Sequence, residues 1–119
     1  MKVSIASLVG LFVVALFASP VLAATLTWDR NSEIDMKDYA VYACFTANCI
    51  VTKTPTMLQP GFTLQPTVGV LPTHTLDIVG KEGSVAVTAR DQVLNESSLS
   101  VQVPFDAKAP VSPGSPRFQ

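Results

Sequence analysis

The chain has 119 residues, a formal net charge of −1 and 48% hydrophobic residues. Seventeen of the first 23 residues are hydrophobic against 40 of the remaining 96, so the mean hydropathy of +0.37 is largely a property of the N-terminus. Beyond residue 23 there are seven Lys/Arg and nine Asp/Glu with no basic stripe, which argues against a nucleic-acid partner, and a single His with two Cys leaves no material for most multi-ligand metal sites.

Residues 1–23 read as a signal peptide. Lys2 is a short positive start, and residues 5–18 form a nearly unbroken apolar run. Ser19-Pro20 breaks it, and Val21-Leu22-Ala23 offers tolerated residues for a cut after Ala23. The run is shorter than the roughly 20 residues that cross a bilayer. The expectation is a chain cleaved at Ala23, with no membrane span afterwards, that works in the periplasm or is secreted. In that oxidising space Cys44 and Cys49 are expected to pair as a structural disulfide across a tight turn near Thr46-Ala47-Asn48. The C-x4-C spacing is not that of a redox pair.

No 3.6-residue apolar period persists after Ala24, whereas period-2 alternation recurs. In chain order it predicts strands over 25–28, with Leu26 and Trp28 on one face; over 39–45, with Tyr39, Val41, Ala43 and Phe45 on one face and Ala40, Tyr42 and Cys44 on the other; over 75–78; over 85–90, with Val85, Val87 and Ala89 together; and over 98–103. Residues 50–72 are punctuated by Pro55, Pro60, Pro66 and Pro72, so only short edge strands are expected there, near 50–53 and 67–70. From Pro104 the composition turns to Pro, Ala, Ser and Gly. This predicts a flexible tail over 104–119, in which Phe105 and Phe118 are incidental. One folded domain is therefore expected over 24–103.

Two blocks carry a resemblance. The first is Leu26-Thr27-Trp28-Asp29, then Asn31, Glu33 and Asp35, then Tyr39-Ala40-Val41-Tyr42. The second is Val85-Ala86-Val87-Thr88-Ala89-Arg90-Asp91, then Asn95-Glu96-Ser97 and Ser100. In order and spacing the chain resembles the fibronectin type III family, in particular its small secreted bacterial-type members. The resemblance covers about 24–103 and implies an all-β, immunoglobulin-like antiparallel sandwich. There are three departures. Gly83 and Ser84 stand where the family carries a Tyr, Val93-Leu94 replaces a small residue and Gly, and no room remains before Thr25 for the family's first strand.

Several chemical readings compete at individual residues. Asp29, Glu33, Asp35 and Asp38 cluster around the first loop, but their spacing matches no calcium loop, and turn-capping explains them. Asp29 and Asp91 as an acid–base pair would need a cleft that nothing in the sequence supplies. His74 has no nucleophile motif around it and reads as a packing histidine. Tyr42 is expected to face outward, and Phe62 to plug one end of the sandwich. The reading is therefore non-enzymatic, with no cofactor and no metal: a secreted binding or spacer module with a protein, cell-surface or carbohydrate partner. Trp28, Tyr39, Val41 and Val87 are the expected core anchors. Thr25, Leu26 and Thr27 form the candidate interaction edge, left open by the missing first strand. The alternative is an extracellular structural subunit that self-associates through that edge.

Overall fold

The structure, a computed structural model, describes residues 24–119, and the expected signal peptide at 1–23 lies outside them. Six strands follow in order: β1 (Ala24–Thr27), β2 (Met36–Cys44), β3 (Thr63–Leu64), β4 (Thr73–Leu76), β5 (Glu82–Asp91) and β6 (Val103–Asp106). They form two antiparallel sheets, a two-stranded one of order β1-β4 and a four-stranded one of order β3-β2-β5-β6. The described residues contain no helix, so the protein is all-β and sandwich-like.

The alternation in β2 and β5 makes the core. Register pairs Tyr39 with Ala89, Val41 with Val87 and Ala43 with Val85, so these six side chains project from one face of the larger sheet. They pack with Leu26 and Trp28 of the first strand and its extension, with Leu76 and Ile78, and with Val103 and Phe105. Trp28, Tyr39 and Val41 expose nothing and Val87 1%. The rings of Trp28 and Tyr39 meet edge to face, centroids 5.4 Å apart.

The opposite face of β2–β5 is also covered. Ala40, Tyr42, Cys44 and Ala86 form a second small core with Val51, closed by Cys49, Met57, Leu58 and Leu99. Tyr42 is therefore buried, contrary to the outward position expected of it. The expected strand at 50–53 does not form. Gln102 supplies the missing ladder instead: its amide oxygen accepts from Val51 N–H and its nitrogen donates to Cys49 O. At 57–59, Ala43 N–H donates to Met57 O and Gln59 N–H to Val41 O, an isolated bridge in place of a strand. The strand expected at 67–70 is likewise absent, and Val70 N–H closes a turn on Thr67 O with Gly69 at φ 89°.

Two further expectations shift at the C-terminal side. The strand expected over 98–103 does not form there: regular pairing begins only at Val103, and residues 96–100 meet β5 through an isolated bridge at Glu96 and through two serines. Ala89 exchanges bonds with Ser97 and Val87 with Ser100, each serine accepting through its hydroxyl oxygen and donating through its N–H. Three residues of chain thus serve two of the ladder, the alternation breaks, and Val101 is left exposed. The sheet then runs on through Pro104, which pairs with Ser84, to Asp106. Proline is tolerated because β6 is an edge. Phe105 is 5% exposed and meets Phe45 edge to face, so it belongs to the core and not to a tail. Phe45 itself lies just past β2, at the rim of the sandwich.

Cys44 and Cys49 are joined in a disulfide, with Cα atoms 6.2 Å apart. Asn48 takes φ 57° in the turn between them. The closed loop is short, so replacing both with Ala should cost about 2 kcal/mol of stability and leave the fold intact. Urea unfolding of the double variant checks this, and a midpoint equal to the wild type would show that the link does nothing for stability.

Candidate interaction surfaces

The candidate edge is β1. It pairs with β4 so that Ala24, Thr25, Leu26 and Thr27 face Leu76, Thr75, His74 and Thr73. Trp28 N–H donates to Pro72 O, which continues this ladder. Hydrogen-bonded pairs alternate in an antiparallel ladder, so 26/74 and 24/76 share that phase. The backbone groups of Thr25 and Thr27 consequently point away from β4, toward an edge that no other described strand occupies.

The three candidate residues differ as side chains. Thr25 is exposed, Leu26 is wholly buried in the core, and Thr27 is buried with its hydroxyl donating to Pro72 O at 2.9 Å. The edge is therefore a backbone feature with one accessible side chain, at Thr25. The other edges are guarded differently: β3 has two residues, and β6 carries Pro104. On β4, His74 is half-buried, and burial pulls its pKa below the usual imidazole value. A groove beside it is lined by Phe45, Pro60, Thr75 and Lys81.

Most other polar side chains tie loops to the sheets. Tyr39 Oη accepts from Asn31 N–H and donates to Gln65, whose nitrogen donates to Asn31 O. Burial raises the Tyr39 pKa against the opposing effect of the Asn31 bond. Asp38 accepts from Arg90 Nε and Nη2, each at 2.7 Å, so this member of the acidic cluster is spent on an ion pair. Phe62 does not plug the sandwich. It is partly exposed and lies under the Arg90 guanidinium, 3.8 Å from ring centroid to Cζ. Among the described residues no group of three or more His, Cys, Asp and Glu is placed to hold a metal ion.

Glu96 accepts from Tyr42 Oη and Thr88 Oγ1, both at 2.6 Å. Burial, the Glu96 hydrogen bond and its charge push the Tyr42 phenol up to about 12. For Glu96, burial opposes ionisation, but the Thr88 and Tyr42 hydrogen bonds, with Lys53 and Arg90 nearby, outweigh it and hold the carboxyl below its usual range. A carboxyl lowered on folding stabilises above its unfolded value and loses that contribution as pH falls through the folded one. The melting temperature should therefore drop on acidification below about pH 4.5, and more shallowly for Glu96→Gln. Parallel pH profiles for the two proteins would remove Glu96 from the acid response.

Sequence reasoning missed Gln102, Ser97, Ser100 and Asp91 as organisers. Ser97 and Ser100 lie in the second of the two blocks that carry the resemblance, and their three-residue spacing against a two-residue ladder is the available signal for a bulge. Compared with family models, curated proteins and solved structures, the chain matches none.

Proposed function

We propose that the protein is a non-enzymatic, extracytoplasmic docking module of the fibronectin type III kind, whose first strand is missing and whose β1 edge takes an extended segment of a partner. The open backbone of Thr25 and Thr27 carries this reading. The sheet orders β1-β4 and β3-β2-β5-β6 support it, because among the described residues β1, which Trp28 extends, has a neighbour on one side only, as the resemblance implies for a chain without the first strand. A strand added there gains main-chain hydrogen bonds without disturbing the core. The polar groups tied up in loop-anchoring bonds speak for a rigid scaffold rather than for catalysis.

Thr25→Pro is the clean probe. It removes a donor from the open edge and none from the β1–β4 ladder. Thr27→Lys is not a clean probe, because it would break the buried bond to Pro72. The immobilised mature chain should capture a defined partner from the host's extracytoplasmic fraction, and Thr25→Pro should weaken that capture by about tenfold, the value of one or two ladder bonds, with the melting temperature nearly unchanged. Equal capture by the variant, or none by the wild type, would overturn the edge reading. The second reading, self-association through the same edge, predicts dimers of the wild type that Thr25→Pro abolishes.

A further inference from the structure

Three loops meet at the end of the molecule where β1 stops and β2 begins: 28–35, 65–72 and 92–95. Gln92 N–H donates to Asp35 O at 2.9 Å and its side chain to Met36 O at 3.0 Å. Arg30 Nε donates to Pro66 O at 2.7 Å. These bonds hold the loops together, yet the loops turn apolar side chains to water: Ile34 is fully exposed, Val68 84%, Val93 77% and Leu94 55%.

Leu94 also sits at φ 69°, a conformation that branched side chains rarely adopt. Asp91 imposes it. Its carboxylate accepts from the N–H groups of Val93 and Asn95 and from the Asn95 side chain, and its carbonyl accepts from Leu94 N–H. A strained backbone held by four bonds so as to point Val93 and Leu94 outward is a built feature. The surroundings are acidic. The loops carry Asp29, Glu33 and Asp35 with Asp91 at their edge; of the nearby cations in sequence, Arg30 is turned onto the carbonyls of Pro66 and Asn31 and Arg90 is paired with Asp38, which leaves Lys37.

The opposite end has the complementary chemistry. β6 finishes there at Asp106, and residues 107–119 follow with no acidic side chain and two cations, Lys108, which lies 4.0 Å from Glu82, and Arg117. Val111 and Phe118 are almost fully exposed. Pro110, Pro113 and Pro116 recur every third residue, one turn of a polyproline II helix each, which would align them on one side and extend the 13 residues to about 40 Å. Such a segment is pre-ordered and loses little entropy on docking.

We propose that the tail of one copy docks on the three-loop end of a second copy, with Phe118 seated against Ile34, Val93 and Leu94 and Arg117 beside Glu33. The contact is head-to-tail, so its repetition builds an open chain of copies rather than a closed dimer. Docking on its own loops would require the tail to double back along a sandwich of about 33 Å, the length of the ten-residue β5, and would use nearly all its reach. This inference goes beyond the docking role of β1 and does not rest on it.

Analytical ultracentrifugation of the mature full-length chain from about 10 μM to about 1 mM tests it, at sample concentrations chosen to reveal weak contacts. The average mass should rise with concentration, and the association should weaken as salt is raised. Phe118→Ala should weaken it about tenfold or more, as the loss of an aromatic anchor does. Arg117→Glu and Glu33→Arg should each weaken it, and the chain carrying both changes should recover it. All three positions are exposed, so folding is not at stake. A wild type that stays monomeric at about 1 mM overturns the proposal. So does association that survives Glu33→Arg or is not recovered by the double change. Association abolished by Thr25→Pro and untouched by Phe118→Ala would place the contact at β1 instead, which separates this inference from the edge reading.

Discussion

Trp28→Ala is expected to lose about 3–5 kcal/mol, the cost of removing a large aromatic from a core that cannot collapse around the void. Trp28 has no exposed surface and closes the space between the two sheets against Tyr39. Tyr39 in turn organises Asn31 and Gln65, so the void would also loosen the loops at that end. A domain of this size has only about 5–15 kcal/mol in total, so the variant should unfold at low urea or fail to accumulate. Trp28→Phe is the informative companion. The indole nitrogen of Trp28 is buried without a hydrogen-bond partner, and Phe removes that donor while keeping most of the apolar volume. It should therefore cost distinctly less than the alanine change. Chemical denaturation of both variants checks the ordering. Near-native stability of Trp28→Ala would mean that the ring does not span the core.

The central strands were the legible part of the fold. In 39–44 and 85–90 the alternation sets Tyr39, Val41 and Ala43 on one face of β2 and Val85, Val87 and Ala89 on one face of β5, and the register then follows from the need to bring Val41 onto Val87. The edge of the fold was less legible, for three physical reasons. Serine hydroxyls at 97 and 100 stand in for backbone acceptors, which stretches three residues over two ladder positions and hides the end of the sheet. Pro104 reads as a breaker, although an edge strand has no inner use for its missing N–H. Gln102 replaces a strand by its side chain, a substitution that no periodicity registers.

The candidate edge was legible in position but not in its anatomy. Alternation puts Leu26 inward and Thr25 outward, as the structure has them. By the same alternation Thr27 should face out with Thr25. It is buried because the loop at 65–72 crosses from β3 to β4 over it and delivers Pro72 O to its hydroxyl. That contact joins residues 45 apart in sequence, and local patterning carries no information about it. Tyr42 was misplaced for a similar reason. The outer face of β2 is polar-tipped by sequence, but residues 49–58 fold across it and Glu96 reaches its hydroxyl from across the sheet.

The Asp38–Arg90 pair is where a single polar change should be most damaging. Asp38 is 2% exposed, and its two oxygens take Arg90 Nε and Nη2 at 2.7 Å, across the β2–β5 ladder next to the irregularity between Met36 and Asp38. Removing one member of such a pair leaves the other's charge partly buried without compensation, at a typical cost of about 3–5 kcal/mol. Arg90 has some access to water and to the Phe62 ring, so Asp38→Ala should fall near the lower end, about 3 kcal/mol. Arg90→Met should cost more than Asp38→Ala: its flexible apolar chain can still lie over Phe62, but it leaves the carboxylate of Asp38, the more buried of the two charges, without a partner. The double variant Asp38→Leu with Arg90→Met should be the decisive one. Replacing both charges with apolar groups of similar size removes the desolvation penalty along with the attraction, so it should be more stable than Asp38→Ala and approach the wild type. A thermal or urea cycle over the four proteins measures the coupling directly. Additive losses, with the double variant the least stable of all, would show that the two side chains act independently and that the pair does not fix the register of β2 on β5.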